Sequence, residues 1–282
     1  MTIIRIMAGW EAHTPVSSVV SVFTPLYKLV DVAVMKSTRA ERLISNADGM
    51  DAVVIVNDGE PFLDSTFWYL TEQKSGTFEG SFAIVGPGGS LDVIVSILEE
   101  EGAREGAGDI HVYHNREERD GFLRDALKGC SKVGFNTHSA TYAAVEFVKK
   151  TVDGIQAVDA GKAIADTVSV KDEKEIAATR EACRISSIVA GEIPDMLSEG
   201  VSEKEVAARM DARMRDLGGT GNAFDTIAAF GAYSSQPHHM PCDYRLKNGD
   251  TALFDFGTKY DRYCSDMTRT VFLGRPSEIL ER

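Results

Sequence analysis

Long apolar runs are missing from the 282 residues: no stretch reaches the length of a membrane span, and the N-terminus lacks the succession of basic start, apolar block and small-residue cleavage site. These absences point to a soluble, cytoplasmic protein with no membrane partner. Cysteine is scarce. The four present, Cys130, Cys183, Cys242 and Cys264, form no CxxC pair, which argues against a zinc knuckle or a disulfide framework and for reduced thiols. Positive charge is also in deficit. A net charge of −13 argues against a general nucleic-acid or anionic-membrane surface, because phosphate binding needs clustered Lys and Arg. Apolar material is plentiful at 43% of the residues, enough for one large domain or two ordinary ones.

Residues 1–34 differ in pattern from the rest of the chain. "VSSVVSVFTPLYKLVDVAV" is β-branched, contains Pro25, and has no obvious pairing partner. Met35 therefore reads either as the true start, with residues 1–34 an extension of uncertain status, or as a position inside a chain that opens with an ordinary strand. From residue 35 to residue 160 the pattern alternates. Strands are expected at "AVVIVN", "SFAIVG", "DIHVYH" and "KVGFN", and helices at "KSTRAERLISNADG", "LDVIVSILEEEGA", "REERDGFLRDALKG" and "SATYAAVEFVKKTV". That rhythm predicts an α/β layer domain with a largely parallel sheet. "IVGPGGS" lacks the order of a phosphate-binding loop and reads as a turn.

A second domain is expected over residues 161–282. "SVKDEKEIAATREACRISSIVAGEIPDMLSEG" predicts a long amphipathic helix, perturbed at Pro194 and closed at Gly200. "VSEKEVAARMDARMRDLGG" predicts another, with Ser202 as N-cap and Glu205 completing a capping box. Antiparallel strands come next, at "FDTIAAFG", "DTALFDFG" and "DMTRTVFLG".

Two carboxylates stand out in "FDFGTKYDRYCSDMTRT". With a two-residue turn at Tyr260 and Asp261, Asp255 lies directly opposite Asp266, so two like charges stand about 5 Å apart on one face. Leu253, Phe254, Phe256 and Val271 suggest that the hairpin is substantially buried, where unpaired carboxylates are costly. A divalent cation compensates most simply. The alternatives are a pairing of Asp255 with a basic residue such as Arg269, or an asymmetric turn that separates the two. His238 and His239 lie upstream in "YSSQPHHMPCDYRLKNGD". A lone loop histidine is usually solvent-facing or structural, but two beside a candidate carboxylate site weaken that default.

The run "FDTIAAFGAYSSQPHHMPCDYRLKNGDTALFDFGTKYDRYCSDMTRTVFLG" resembles the first half of the catalytic domain of the M24 metallopeptidases: Xaa-Pro dipeptidase (prolidase), Xaa-Pro aminopeptidase and their relatives. PHH, GD, a DxG strand and SDxTRT at this spacing carry the resemblance, which extends upstream to about Met35. It implies an α/β creatinase-like N-terminal domain followed by an incomplete α+β pita-bread domain. It also implies two divalent cations (manganese, cobalt, iron or zinc) in the complete enzyme, short proline-containing peptides as substrates, and a homodimer. By the same resemblance Asp255 binds one metal and Asp266 bridges both. His238 contacts substrate as the catalytic histidine, and Thr268 supports the metal-bound water. His239 has no such counterpart and reads as structural.

The match is partial. The family's remaining ligands are a histidine and two glutamates further along. No histidine follows His239, and Glu278 and Glu281 lie in "PSEILER", which reads as the start of a helix. The implied activity is metal-dependent hydrolysis of Xaa-Pro bonds by the complete protein, with this chain an inactive fragment of it. A non-catalytic peptide-binding scaffold and a creatinase-like non-peptidase hydrolase are the alternatives, and the presence of both aspartates argues against the second.

Overall fold

The computed structural model describes residues 3–5 and 38–274. The remainder of the expected extension, residues 1–34, and the segment holding Glu278 and Glu281 lie outside the described residues. The chain divides into two compact units between Asp172 and Glu173.

The first unit contains α1 (Arg39–Asn46), β2 (Ala52–Asn57), α2 (Ser65–Thr71), β3 (Ser81–Val85), β4 (Leu91–Ser96), α3 (Glu100–Ala103), β5 (Asp109–Tyr113), α4 (Arg116–Ala126), β6 (Lys132–Phe135), α5 (Tyr142–Thr151), β7 (Gln156–Asp159) and α6 (Gly161–Ser169). Its six strands lie in the order β5-β4-β3-β2-β6-β7. Every residue of β2 and β3 is buried, because both faces of the sheet are covered. Val53, Ile55, Ala83 and Val85 face Leu43, Phe67 and Ile164 from α1, α2 and α6. Ala52, Val54, Phe82 and Ile84 face Leu123 and Val148 from α4 and α5. Each valine, leucine, isoleucine or phenylalanine among them contributes about 1.5–3 kcal/mol when fully buried.

Two expectations are corrected here. "LDVIVS" opens a strand, not a helix: Val93 and Val95 enter one core and Ile94 the other, the alternation of a pleated strand. The sheet is consequently mixed, since β2-β3-β4 form an antiparallel meander while β4-β5, β2-β6 and β6-β7 are parallel. "GPGGS" is the turn joining β3 to β4. Gly89 there has φ +84, and a Cβ on it would stand 2.8 Å from the Glu41 backbone nitrogen, so the turn packs on α1 through glycine alone. The division between units also falls after Asp172 rather than after residue 160. Ala163 and Ile164 of α6 pack into the first unit's core, which holds that helix there.

The second unit joins α7 (Glu173–Met196), α8 (Glu203–Asp216), β8 (Gly221–Asn222), β9 (Ile227–Phe230), β10 (Thr251–Phe256), β11 (Thr258–Tyr260), β12 (Tyr263–Cys264) and β13 (Met267–Phe272). Strand β1 (Ile3–Arg5) runs parallel to β13 at the edge of the sheet β1-β13-β10-β9. Ile185, Val189 and Ile193 of α7 and Val206, Met210 and Met214 of α8 pack on Ala228, Phe230, Ala252, Phe254, Phe256 and Val271. Those helix positions recur at four-residue steps, which keeps them on one apolar stripe. Pro194 lies within the last turn of α7, and Gly200 beyond it has φ +87.

Ser202 caps α8 as its sequence predicts: its hydroxyl accepts from the Glu205 N–H, and the Glu205 carboxylate accepts from the Ser202 N–H. Ser202→Ala leaves the Glu205 N–H without its side-chain acceptor, and thermal or urea unfolding is expected to record a loss of about 1 kcal/mol. An unchanged midpoint would show that the cap contributes nothing.

Candidate active site

Strand β10 is two-faced. Ala252, Phe254 and Phe256 are buried against the helices, while Thr251, Leu253 and Asp255 alternate with them on the opposite face and remain half-exposed. Antiparallel pairing puts Asp255 directly across from Thr268, whose hydroxyl donates to Asp255 Oδ1 at 2.8 Å. The same register sets Arg269 opposite Phe254, on the helix-facing side. Its guanidinium donates to the Thr268 carbonyl oxygen, so it does not neutralise Asp255.

The turn differs from expectation by one residue. Tyr260 pairs with Tyr263, leaving Asp261 and Arg262 as the two central residues, with φ 46 and 73. Positive φ at both positions is what a type I′ turn requires, and it matches the strand twist. Nothing in an Asp-Arg pair announces that geometry, since Asn-Gly and Asp-Gly are its usual residues. Asp255 therefore faces Thr268 rather than Asp266. Asp266 lies just before β13 and is exposed. The expected burial of both carboxylates is also corrected: Asp255 is half-exposed and Asp266 is exposed.

Gly257 explains how the ribbon closes up near Asp266. A Cβ there would fall 1.9 Å from the Ser265 carbonyl oxygen. The backbone thus approaches the segment carrying Asp266 more closely than any side chain allows. Thr258 then returns two bonds, its N–H to Ser265 Oγ and its carbonyl from the Ser265 N–H.

The histidines part company. His238 is exposed in the loop joining β9 to β10, and among the described residues it makes no hydrogen bond to either aspartate. His239 is buried. Its ring stacks on Tyr233 at 4.6 Å, and its Nε2 lies 2.7 Å from Glu203 Oε2. Glu203 has no exposed side-chain surface; Oε1 accepts the Phe230 N–H and Oε2 also accepts the Cys242 N–H. The Tyr244 N–H pulls the Cys242 thiol pKa down, but the hydrogen bond and charge of Glu203, together with burial, leave it above its ordinary value. Burial, then the Asp250 carboxylate that accepts its hydroxyl proton, raises the Tyr244 pKa.

Sequence reasoning overlooked Glu203, although a signal was present. It stands three, seven and eleven residues before Val206, Met210 and Met214, on the apolar stripe of α8. A carboxylate on that stripe must be buried and must find donors.

As cation ligands, Asp255 and Asp266 fit in part. Neither forms an ion pair with Lys or Arg among the described residues, and Asp255 keeps Oδ2 clear of hydrogen bonds there. Both are hard oxygen donors, as manganese, cobalt, iron or zinc accept. Two carboxylates alone are too few to enclose a pair of cations.

With this geometry, residues 177–282 match the Metallopeptidase family M24 and residues 39–167 the Creatinase/Prolidase N-terminal domain. The chain belongs to the M24 metallopeptidases, as a creatinase-like domain followed by part of a pita-bread domain. Among its relatives is the Xaa-Pro dipeptidase of Pyrococcus horikoshii, 35% identical over 231 residues, which cover 82% of this chain and 62% of that protein. Solved structures similar to it include the X-Pro aminopeptidase of Thermotoga maritima (TM-score 0.77, 26% identity, 86% of this chain and 67% of that one). The prolidase of Pyrococcus horikoshii OT3 gives TM-score 0.74 at 29% identity, covering 86% of this chain and 67% of that one. The chain thus spans about two thirds of the length of these relatives. Among the described residues, no helix is long and apolar enough to cross a membrane.

Glu203→Ala would leave the His239 ring and two backbone N–H groups without their acceptor. Urea unfolding is expected to report a loss of roughly 3 kcal/mol. A loss of only a few tenths would mean that the loop holds its conformation without Glu203.

Proposed function

We propose that the complete protein hydrolyses Xaa-Pro bonds in dipeptides or at the N-terminus of short peptides, and that residues 1–282 supply the first part of its metal centre. The observation that carries this reading is the Asp255 carboxylate, set by its strand on the face away from the core and oriented by the Thr268 hydroxyl at 2.8 Å. Asp255 would hold one cation, and Asp266 would serve both. Thr268 fixes one Asp255 oxygen, so that the other points outward for ligation. His238, exposed on its loop, donates to the oxygen that gains charge as the scissile carbonyl is attacked. The cations, when bound, lower the pKa of a shared water and polarise that carbonyl.

Two carboxylates without further ligands give weak, water-filled coordination and excess negative charge. Residues 1–282 by themselves are therefore expected not to turn over substrate. The names of the relatives and the match to the metallopeptidase family support the substrate class; a homodimer of the complete enzyme, in a cytoplasmic setting, is part of the same reading.

The test compares residues 1–282 with the protein expressed together with whatever reading frame lies downstream of Arg282. Proline release from Ala-Pro and Gly-Pro is measured with manganese or cobalt. The longer protein is expected to release proline and the 282 residues to release none. In the longer protein Asp266→Asn should lose both metal and activity, because a neutral amide bridges two cations poorly. His238→Ala should retain metal and lose turnover. Peptide binding without hydrolysis in the longer protein would favour the scaffold reading instead. Metal-dependent turnover by residues 1–282 alone would overturn the assignment of an incomplete centre.

A further inference from the structure

A second set of donors lies apart from the two aspartates. Among the described residues, Glu203, His239 and Cys242 form a group of three metal-competent side chains whose donor atoms all lie within 4.8 Å of one another. We infer that this group binds a single divalent cation of borderline softness, zinc or cobalt(II), at a site formed by the start of α8 and the loop before β10.

The donor set is one carboxylate oxygen, one imidazole nitrogen and one thiol sulfur, which suits zinc and cobalt far better than magnesium or calcium. The site is built rather than incidental. Glu203 is fully buried and held by the Phe230 and Cys242 N–H groups at 2.7 and 2.9 Å, so its orientation is fixed before any ion arrives. The His239 ring is clamped against Tyr233 at 4.6 Å. Cys242 follows His239 by three residues and is half-buried, which leaves the sulfur an approach from solvent.

The charges balance. Carboxylate and thiolate together neutralise a dication, so occupancy leaves no net charge in a largely buried place. On binding, the thiol proton goes to solvent. The cation takes the place of the hydrogen that Nε2 now directs at Glu203, and that proton transfers by way of solvent to Nδ1, so the ring stays neutral. A water completes four-coordination. Bonds of 2.0–2.3 Å at tetrahedral angles require donors roughly 3.3–3.8 Å apart. The 2.7 Å contact between His239 and Glu203 must therefore open, and any separation near the 4.8 Å limit must close by about an ångström, through rotation of the Cys242 side chain. Occupancy would tie the loop that carries His238 to the first turn of α8.

This inference does not rest on the reading of Asp255 and Asp266, and the test separates the two. Metal-free protein of 282 residues is titrated with cobalt(II) under reducing conditions. One equivalent is expected to raise a thiolate-to-cobalt charge-transfer band in the near ultraviolet, together with the visible absorption of four-coordinate cobalt, and zinc should displace it. Cys242→Ser, which keeps the Glu203–His239 pair and whose fold is checked by circular dichroism, should abolish the band. It should also weaken zinc binding by about tenfold or more in competition with a chelator. Asp255→Asn combined with Asp266→Asn, and Cys183→Ser combined with Cys264→Ser, should each leave the band in place. Absence of the band in the parent chain, its persistence in Cys242→Ser, or its loss with the two aspartates would overturn the assignment.

Discussion

A carboxylate with no exposed side-chain surface organises the second unit. Glu203 sits at the first turn of α8 and takes hydrogen bonds from the end of β9, from the His239 ring and from the backbone of Cys242. A buried carboxylate that lacks any of these donors is costly, whereas one with all of them fixes three chain segments at once. The helix start, the central sheet and the long loop between β9 and β10 are thus set by one side chain. His238, next in sequence to the buried His239, inherits its place on the surface from that anchoring.

The sheet of the second unit divides its labour by pleat. One face of β10 carries phenylalanines into the helices, and the other carries Asp255 and its Thr268 partner. Period-two alternation makes this separation automatic: any residue next to a core position faces away from the core. The polar chemistry therefore needs no special fold to keep it out of the apolar layer. Arg269 illustrates the same rule in reverse, since one step along β13 moves it to the other face from Thr268.

Much of this was legible in the sequence, and the parts that were not have physical reasons. The capping box at Ser202 and Glu205, the long helix with Pro194, and the antiparallel strands around Asp255 arise from local signals that tertiary packing did not override. "LDVIVS" was misread because a short apolar run buried on both faces carries no period of its own. The turn at Asp261 and Arg262 escaped because its backbone conformation is imposed by strand twist rather than by residues that favour it. A two-residue turn displaced by one position moves every pairing by two, which keeps the facing but exchanged Asp266 for Thr268 opposite Asp255. Which relative a pattern resembles could be read from PHH, DFG and SDMTRT, whereas the anchoring by Glu203 could be recognised only by asking why an acid occupies an apolar stripe.

The tight turn at Asp261 and Arg262 has a bearing on how this ribbon can change over generations. With Tyr260 paired to Tyr263, no slack residue exists to absorb an insertion or a deletion. Losing or gaining one residue between Gly257 and Ser265 would reverse the facing of every position on one arm and carry the acid away from its threonine. Changes in pairs, one residue on each arm, preserve the facing and merely lengthen or shorten the ribbon. Length changes in steps of two therefore keep Asp255 opposite its threonine, whichever residues the ribbon carries.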